Sequence, residues 1–374
     1  MKKNDLWSLL VFLIMGAIII VSALVFISEA FGRAVGLDGN LIIGFQESLP
    51  YLFVALLISI VINGILEETC HVIGALIGGY KIKSVNFFGL EFARNKDHKF
   101  KFGLSSFNGL TGETKVLPKN DKASLKLYCL LPLFVLCAEV LTLILVIIYS
   151  SSVTNTYLEP CFLVVITITL AMIVYQFFPV ELDSLNDGYR FVLITSGGGK
   201  AQVAFNKMLE IEAEVENGNA NWAVPAILPD TLYGAKIYLM NYYREASQGS
   251  YEAAEATLKQ ILEVNQLKEM MIRVHLETIF IKACLNLDEA RRYYEEELSN
   301  DDKKVLYSSP DLDILRCYLL VSALIEKSDS EMEFAKKRIA KLIEKDKYNK
   351  YVTQKALLEK TYELIRKTNL KETI

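Results

Sequence analysis

The chain has 374 residues, enough for two or three domains, and 52% of them are hydrophobic. That composition, with a mean hydropathy of +0.29, is high for a soluble globular protein and points to membrane spans. The 40 basic and 44 acidic side chains leave no basic footprint for nucleic acid, and the six cysteines form no CxxC pair. Neither a disulfide framework nor a structural zinc site is therefore expected from cysteine.

Charge is unevenly spread. Residues 1–200 carry 15 basic and 15 acidic side chains, and residues 201–374 carry 25 and 29. A membrane half followed by a soluble half is the simplest reading. In chain order, residues 6–28, 48–66, 127–150 and 160–180 are apolar runs, interrupted only by Glu139 in the third. Each is close to or above the ~20 residues a helix needs to cross a bilayer. The first run is too long for a secretory signal and no small-residue cleavage site follows it, so it reads as a retained span.

Basic residues set the expected direction. Residues 81–126 hold ten Lys and Arg, whereas 29–47 holds only Arg33 and 151–159 holds none. By the positive-inside rule the central loop is cytoplasmic, as are both termini of a multi-pass cell-membrane protein. The second and fourth spans then both run inward. Their cytoplasmic ends carry two polar clusters that this topology places at the same depth, Glu67-Glu68-Thr69-Cys70-His71 and the turn at 180–190.

The first cluster is H-E-x-x-H with glutamate in place of the first histidine. On a helix, Glu67 and His71 stand four residues apart on one face, a spacing that lets two side chains grip one metal ion. Glu68 projects about 100° around the helix, where a carboxylate can take a proton from an attacking water. A third ligand has to come from elsewhere, and Asp187 of the "NDG" turn is well placed. Asp183 and Glu181 are less favoured alternatives. The glutamate-type pattern E-E-x-x-x-R fails, because Val72 occupies the arginine position.

The stretch "EETCHVIGALIGGY" (67–80) resembles the site-2 protease family of intramembrane zinc metallopeptidases, whose motif is H-E-x-G-H followed by small and apolar residues. "SLNDG" (184–188) resembles that family's later aspartate motif. "GLTGETKVLP" (109–118) and "NDGYR" (186–190) look like segments of a Gram-positive bacterial branch. The likeness covers roughly residues 50–200. It implies His71 and Asp187 as zinc ligands, Glu68 as catalytic base, a membrane-associated β region near 81–117, and a membrane-inserted peptide as substrate. Glu67 departs from the pattern. A carboxylate is an acceptable zinc ligand, but the second anionic ligand weakens the metal as a Lewis acid or shifts preference towards a harder ion such as manganese. The alternative is an inactive relative that binds membrane peptides or serves as an accessory protein.

Other features read as structural. "SGGGK" (196–200) lacks phosphate-loop spacing and reads as a linker, Pro132 and Asn63-Gly64 mark helix distortions, and His98 and His275 are lone histidines. Beyond residue 201 the pattern is helical and charged. Segments 251–263, 287–298 and 333–345 each follow another apolar-rich helix, at 235–247, 270–284 and 311–326. This resembles degenerate tetratricopeptide-like pairs with a surface for a protein partner. The expected fold is mostly α: a polytopic helical membrane domain with a small β region, plus a soluble helical domain. The expected divisions are 1–47 (span and external loop), 48–195 (membrane domain, β region 81–117), 196–230 (linker and connecting helix) and 231–374 (cytoplasmic helical repeats).

Overall fold

The computed structural model describes residues 41–87, 89–94, 100–104, 112–120, 122–128, 158–178, 186–196, 199–217, 222–264, 268–344 and 352–372. It also describes Asn219 and parts of two helical stretches near residues 10–24 and 140–148. The chain is mostly helical with one small antiparallel sheet, and it divides into two compact units, Met1–Gln202 and Val203–Ile374.

In the first unit, α1 (Leu41–Ile77) is a single helix of 37 residues. Its Leu49–Ile77 part has a mean hydropathy of 2.4 and is the one stretch among the described residues long and apolar enough to cross a membrane. The helix is inside out relative to a soluble one. Phe53, Val54, Leu57, Ile58, Val61 and Ile62 are exposed, while Ser59, Asn63, Glu68 and His71 are buried. Apolar side chains facing outward and polar ones facing a neighbour is the pattern a lipid-facing helix requires. The expected span 48–66 is therefore only part of the helix, which continues through the polar cluster for several more turns. Of the expected span 6–28, Leu13–Ser22 is an apolar helical stretch shorter than a full span, while most of 127–150, with Glu139 and Pro132, lies outside the described residues.

The partner of α1 is α2 (Leu158–Phe177), whose apolar stretch Cys161–Gln176 is shorter than a full span. Hydrogen bonds at three levels join them among the described residues. Cys161 Sγ donates to the Tyr51 carbonyl (3.6 Å), Asn63 Nδ2 to Thr169 Oγ1 (3.1 Å), and Gln176 Nε2 to Glu67 Oε1 (2.5 Å). Residue numbers rise together on both helices, so α1 and α2 run parallel. Their C-terminal ends lie together for that reason.

A tight turn then starts the sheet. Gly78 N–H donates to the Gly74 carbonyl (2.8 Å) to end the helix, and Gly79, at φ +86°, reverses the chain. A side chain at that dihedral would be strained. The strands are β1 (Tyr80–Phe87), β2 (Leu90–Arg94), β3 (Phe100–Leu104) and β4 (Glu113–Pro118), in spatial order β3-β2-β1-β4. Phe92 pairs with Phe102 across β2 and β3, ring centroids 5.1 Å apart. After α2, a short helix α3 (Asp187–Ser196) precedes α4 (Lys200–Glu216), which carries the chain into the second unit.

The second unit is all helix: α5 (Leu232–Ser247), α6 (Tyr251–Val264), α7 (Lys268–Leu285), α8 (Leu287–Glu296), α9 (Asn300–Ser308), α10 (Leu312–Leu320), α11 (Asp329–Glu344) and α12 (Val352–Glu372). One π turn, Val321–Ile325, extends α10. Capping chemistry sets the boundaries. After α5, Gly249 N–H bonds the Ala246 carbonyl and Ser250 N–H bonds the Glu245 carbonyl, with Gly249 at φ +82°. Those two bonds make the left-handed glycine stop that satisfies the last carbonyls of a helix.

A buried ionic cluster ties α5, α7 and α10 together. Arg316 donates to Glu277, Tyr242 Oη also donates to Glu277 (2.6 Å), and the guanidinium lies 4.3 Å from the Phe280 ring centre. Next to it Arg273 pairs with Asp311 and Asp313, and Tyr243 Oη donates to Asp313 (3.2 Å). Removing one partner of a buried pair leaves the other charge uncompensated. Arg316→Met is expected to destabilise this unit by about 3–5 kcal/mol, seen as a lowered thermal unfolding midpoint. Arg316→Met with Glu277→Leu is expected to recover most of that loss.

Candidate metal centre

Along α1 the polar residues Ser59, Asn63, Glu67 and His71 recur every fourth position, a stripe on one helix face. Ser59 and Asn63 return hydrogen bonds to their own helix, to the carbonyls of Ala55 (2.6 Å) and Ser59 (2.8 Å). Glu67 and His71 do not. Glu67 faces Gln176 near the end of α2, and His71 faces the chain that leaves it.

Asn186 brings that chain into place. Its side-chain amide donates to the Phe178 carbonyl (2.6 Å) and to the Tyr175 carbonyl at the end of α2. Its carbonyl oxygen accepts from Tyr189 N–H (2.9 Å), so Asn186 caps the N-terminus of α3. Asp187 is thereby fixed as the first residue of α3, where a negative charge also suits the helix dipole.

The result is a three-residue cluster. His71 Nε2 lies 3.2 Å from Asp187 Oδ2 and 3.9 Å from Glu67 Oε1. One donor atom from each of Glu67, His71 and Asp187 lies within 4.8 Å of the others, and His71 and Asp187 are buried. Glu67 Oε2 is buried without a hydrogen-bond partner among the described residues. Two carboxylates and an imidazole, one oxygen still orphaned, suit a divalent ion: buried carboxylate oxygens lacking a donor call for a cation. The donor set is not specific to zinc. Burial opposes ionisation of Asp187, but neighbouring His71 and Arg190 hold its carboxyl below the ordinary range.

Glu68 faces a different neighbour. Thr114 of β4 donates its hydroxyl to Glu68 Oε2. A Cβ at Gly112 would collide with the Glu68 side chain and stand 2.5 Å from the Asn86 carbonyl oxygen, so glycine is what lets the strand approach. Tyr128 packs beside His71 (ring centroids 6.0 Å apart) and beside Tyr80 (5.7 Å), and its hydroxyl donates to the Thr114 carbonyl (3.4 Å). One tyrosine thus braces the histidine and the strand together.

Of the residues singled out from sequence, Glu67, His71 and Asp187 lie together, with Glu68 on the next position of the same helix. Asp183, Glu181 and His98 lie outside the described residues. His275 is a satisfied histidine whose Nδ1 lies 2.6 Å from Tyr293 Oη. Sequence reasoning missed Gln176, Asn186 and Thr114. Only Asn186 left a direct signal, as an N-cap residue type immediately before Asp-Gly. No family model, curated protein or solved structure matches this chain.

Asn186→Ala is expected to cost about 1 kcal/mol of stability through loss of the cap and to loosen the start of α3. Hydrogen exchange of the backbone amides at 187–190 checks it: faster exchange is expected there than in the parent protein, with α1 unchanged.

Proposed function

We propose that this chain is a membrane-embedded metallopeptidase of the site-2 protease type, cleaving a peptide bond in a membrane-inserted protein or peptide. One observation carries the reading: Glu67 and His71 from one apolar helix and Asp187 from a segment over a hundred residues later converge within ligand distance, with Glu68 next to them in the sequence. Glu67, His71 and Asp187 would hold a divalent ion, zinc or a harder ion such as manganese. When bound, such an ion supplies Lewis acidity that polarises the scissile carbonyl and makes water easier to deprotonate.

The chain's own groups do the proton work. Glu68 accepts a proton from the attacking water and returns it to the departing amine nitrogen as the C–N bond breaks. Thr114 holds one Glu68 oxygen by a hydrogen bond, which fixes how the carboxylate faces its task. The apolar helix pair excludes bulk water, so the charges of the site act at low dielectric.

The wider arrangement belongs to the same proposal. The basic loop at 81–126 supports a multi-pass topology with the site and both termini on the cytoplasmic side. Helices α5 to α12 support a tetratricopeptide-like array that selects or presents a protein partner. A second reading, a peptide-binding relative without catalysis, is favoured by the glutamate at position 67.

Metal analysis of purified full-length protein in detergent tests the proposal. One equivalent of divalent metal is expected, lost in His71→Ala and retained in Glu68→Gln. Cleavage of a membrane-inserted peptide is expected to fall at least about 100-fold in Glu68→Gln. Metal-free parent protein would overturn the metallopeptidase reading. A metal-loaded protein whose peptide binding survives but whose cleavage is nil in every form would favour the second one.

A further inference from the structure

Resting on the metal-centre reading, we infer that Gln176 is a positioning residue for Glu67, fixing which carboxylate oxygen is offered to the ion. Gln176 is buried near the end of α2, and its amide nitrogen lies 2.5 Å from Glu67 Oε1. An ionised carboxylate only accepts hydrogen bonds, so the NH₂ end of the amide faces it. Oε1 is the oxygen nearer His71, at 3.9 Å from Nε2. With Oε1 engaged, Oε2 is left buried and without a partner among the described residues.

A carboxylate rotates about its last torsion with little resistance and can offer an ion one oxygen or two. Histidine, the residue this position carries in H-E-x-x-H, offers a single nitrogen in a direction set by the ring. Gln176 gives Glu67 the same property. The amide holds Oε1 and restrains rotation, so Glu67 presents the ion one set geometry, with Oε2 the oxygen that no other group occupies. The hydrogen bond also draws negative charge off the carboxylate, partly offsetting the second anionic ligand. Hydrogen bonds to ligands from outside the coordination sphere set ligand orientation and basicity in this way. The inference goes beyond ligand identity: it makes the replacement at 67 and the amide at 176 a coupled pair.

A double-mutant cycle reads the coupling. Co²⁺ is titrated into metal-depleted full-length protein in detergent, following affinity and visible absorption bands. Gln176→Leu, which keeps bulk and removes the donor, is expected to weaken Co²⁺ affinity about 10- to 100-fold and to shift the bands, reporting a changed coordination number. Gln176→Asn keeps an amide on a shorter arm and is expected to give the same band shift if it no longer reaches Oε1. In a Glu67→His background, Gln176→Leu is expected to change affinity less than about threefold, because no carboxylate remains to be held. Parent protein that binds no Co²⁺ would overturn the metal centre itself. Parent protein that binds Co²⁺, with both position-176 variants giving unchanged affinity and bands, overturns the role of Gln176 alone. An equal loss in both backgrounds overturns it too, since that marks general packing.

Discussion

An apolar helix cannot leave a polar side chain without a partner, and the first unit is organised around that constraint. An unpaired polar group away from water costs several kcal/mol. The stripe on α1 meets the demand in graded fashion. Ser59 bonds its own helix, Asn63 bonds its own helix and Thr169, and Glu67 bonds Gln176. The further along α1, the more the partner is tertiary. His71, last in the stripe, finds its closest charged neighbour on a different element altogether.

The same constraint explains why α1 and α2 lie parallel and in register. The parallel course sets Asn63 beside Thr169 and Glu67 beside Gln176. The sheet then closes the other side of the cluster. β4 reaches Glu68 only because residue 112 has no side chain, and Tyr128 couples that strand to the histidine ring. Segments distant in sequence thus converge, yet by ordinary local devices: a helix face, a cap, a glycine and an aromatic contact. In the second unit the demand is met differently. There Arg316 and Glu277 are buried as a pair, with Tyr242 and the Phe280 ring completing their surroundings.

Much of this was legible in the residues. The four-residue spacing of Glu67 and His71, the apolar runs around them and the Asn-Asp-Gly turn carry the cluster, because helix periodicity and helix caps are local properties. The helices at 251–263 and 333–345 were legible for the same reason. Other parts were not. The extent of the first helix was legible only in part: residues 48–66 were read as the span with Glu67–His71 at its helical end, and the helix continues to Ile77. Helix α9 went unread because "NDDKKVLYS" has little apolar periodicity. Its evidence is the box formed by Ser299 and Asp302, each satisfying the other's backbone N–H. Gln176 and Thr114 were invisible for a deeper reason: a lone amide or hydroxyl has meaning only through the partner that folding brings to it.

Glu67 has one more consequence. With a neutral imidazole, two carboxylates carry together the charge opposite to that of a divalent cation. A centre built from Glu67, His71 and Asp187 would be electroneutral when loaded, whereas one with two histidines and one aspartate would keep a net positive charge. In a medium of low permittivity the self-energy of a net charge is the dominant cost of holding an ion. On the proposed reading, a glutamate ligand in place of a second histidine would exchange electrophilic strength for ease of burial.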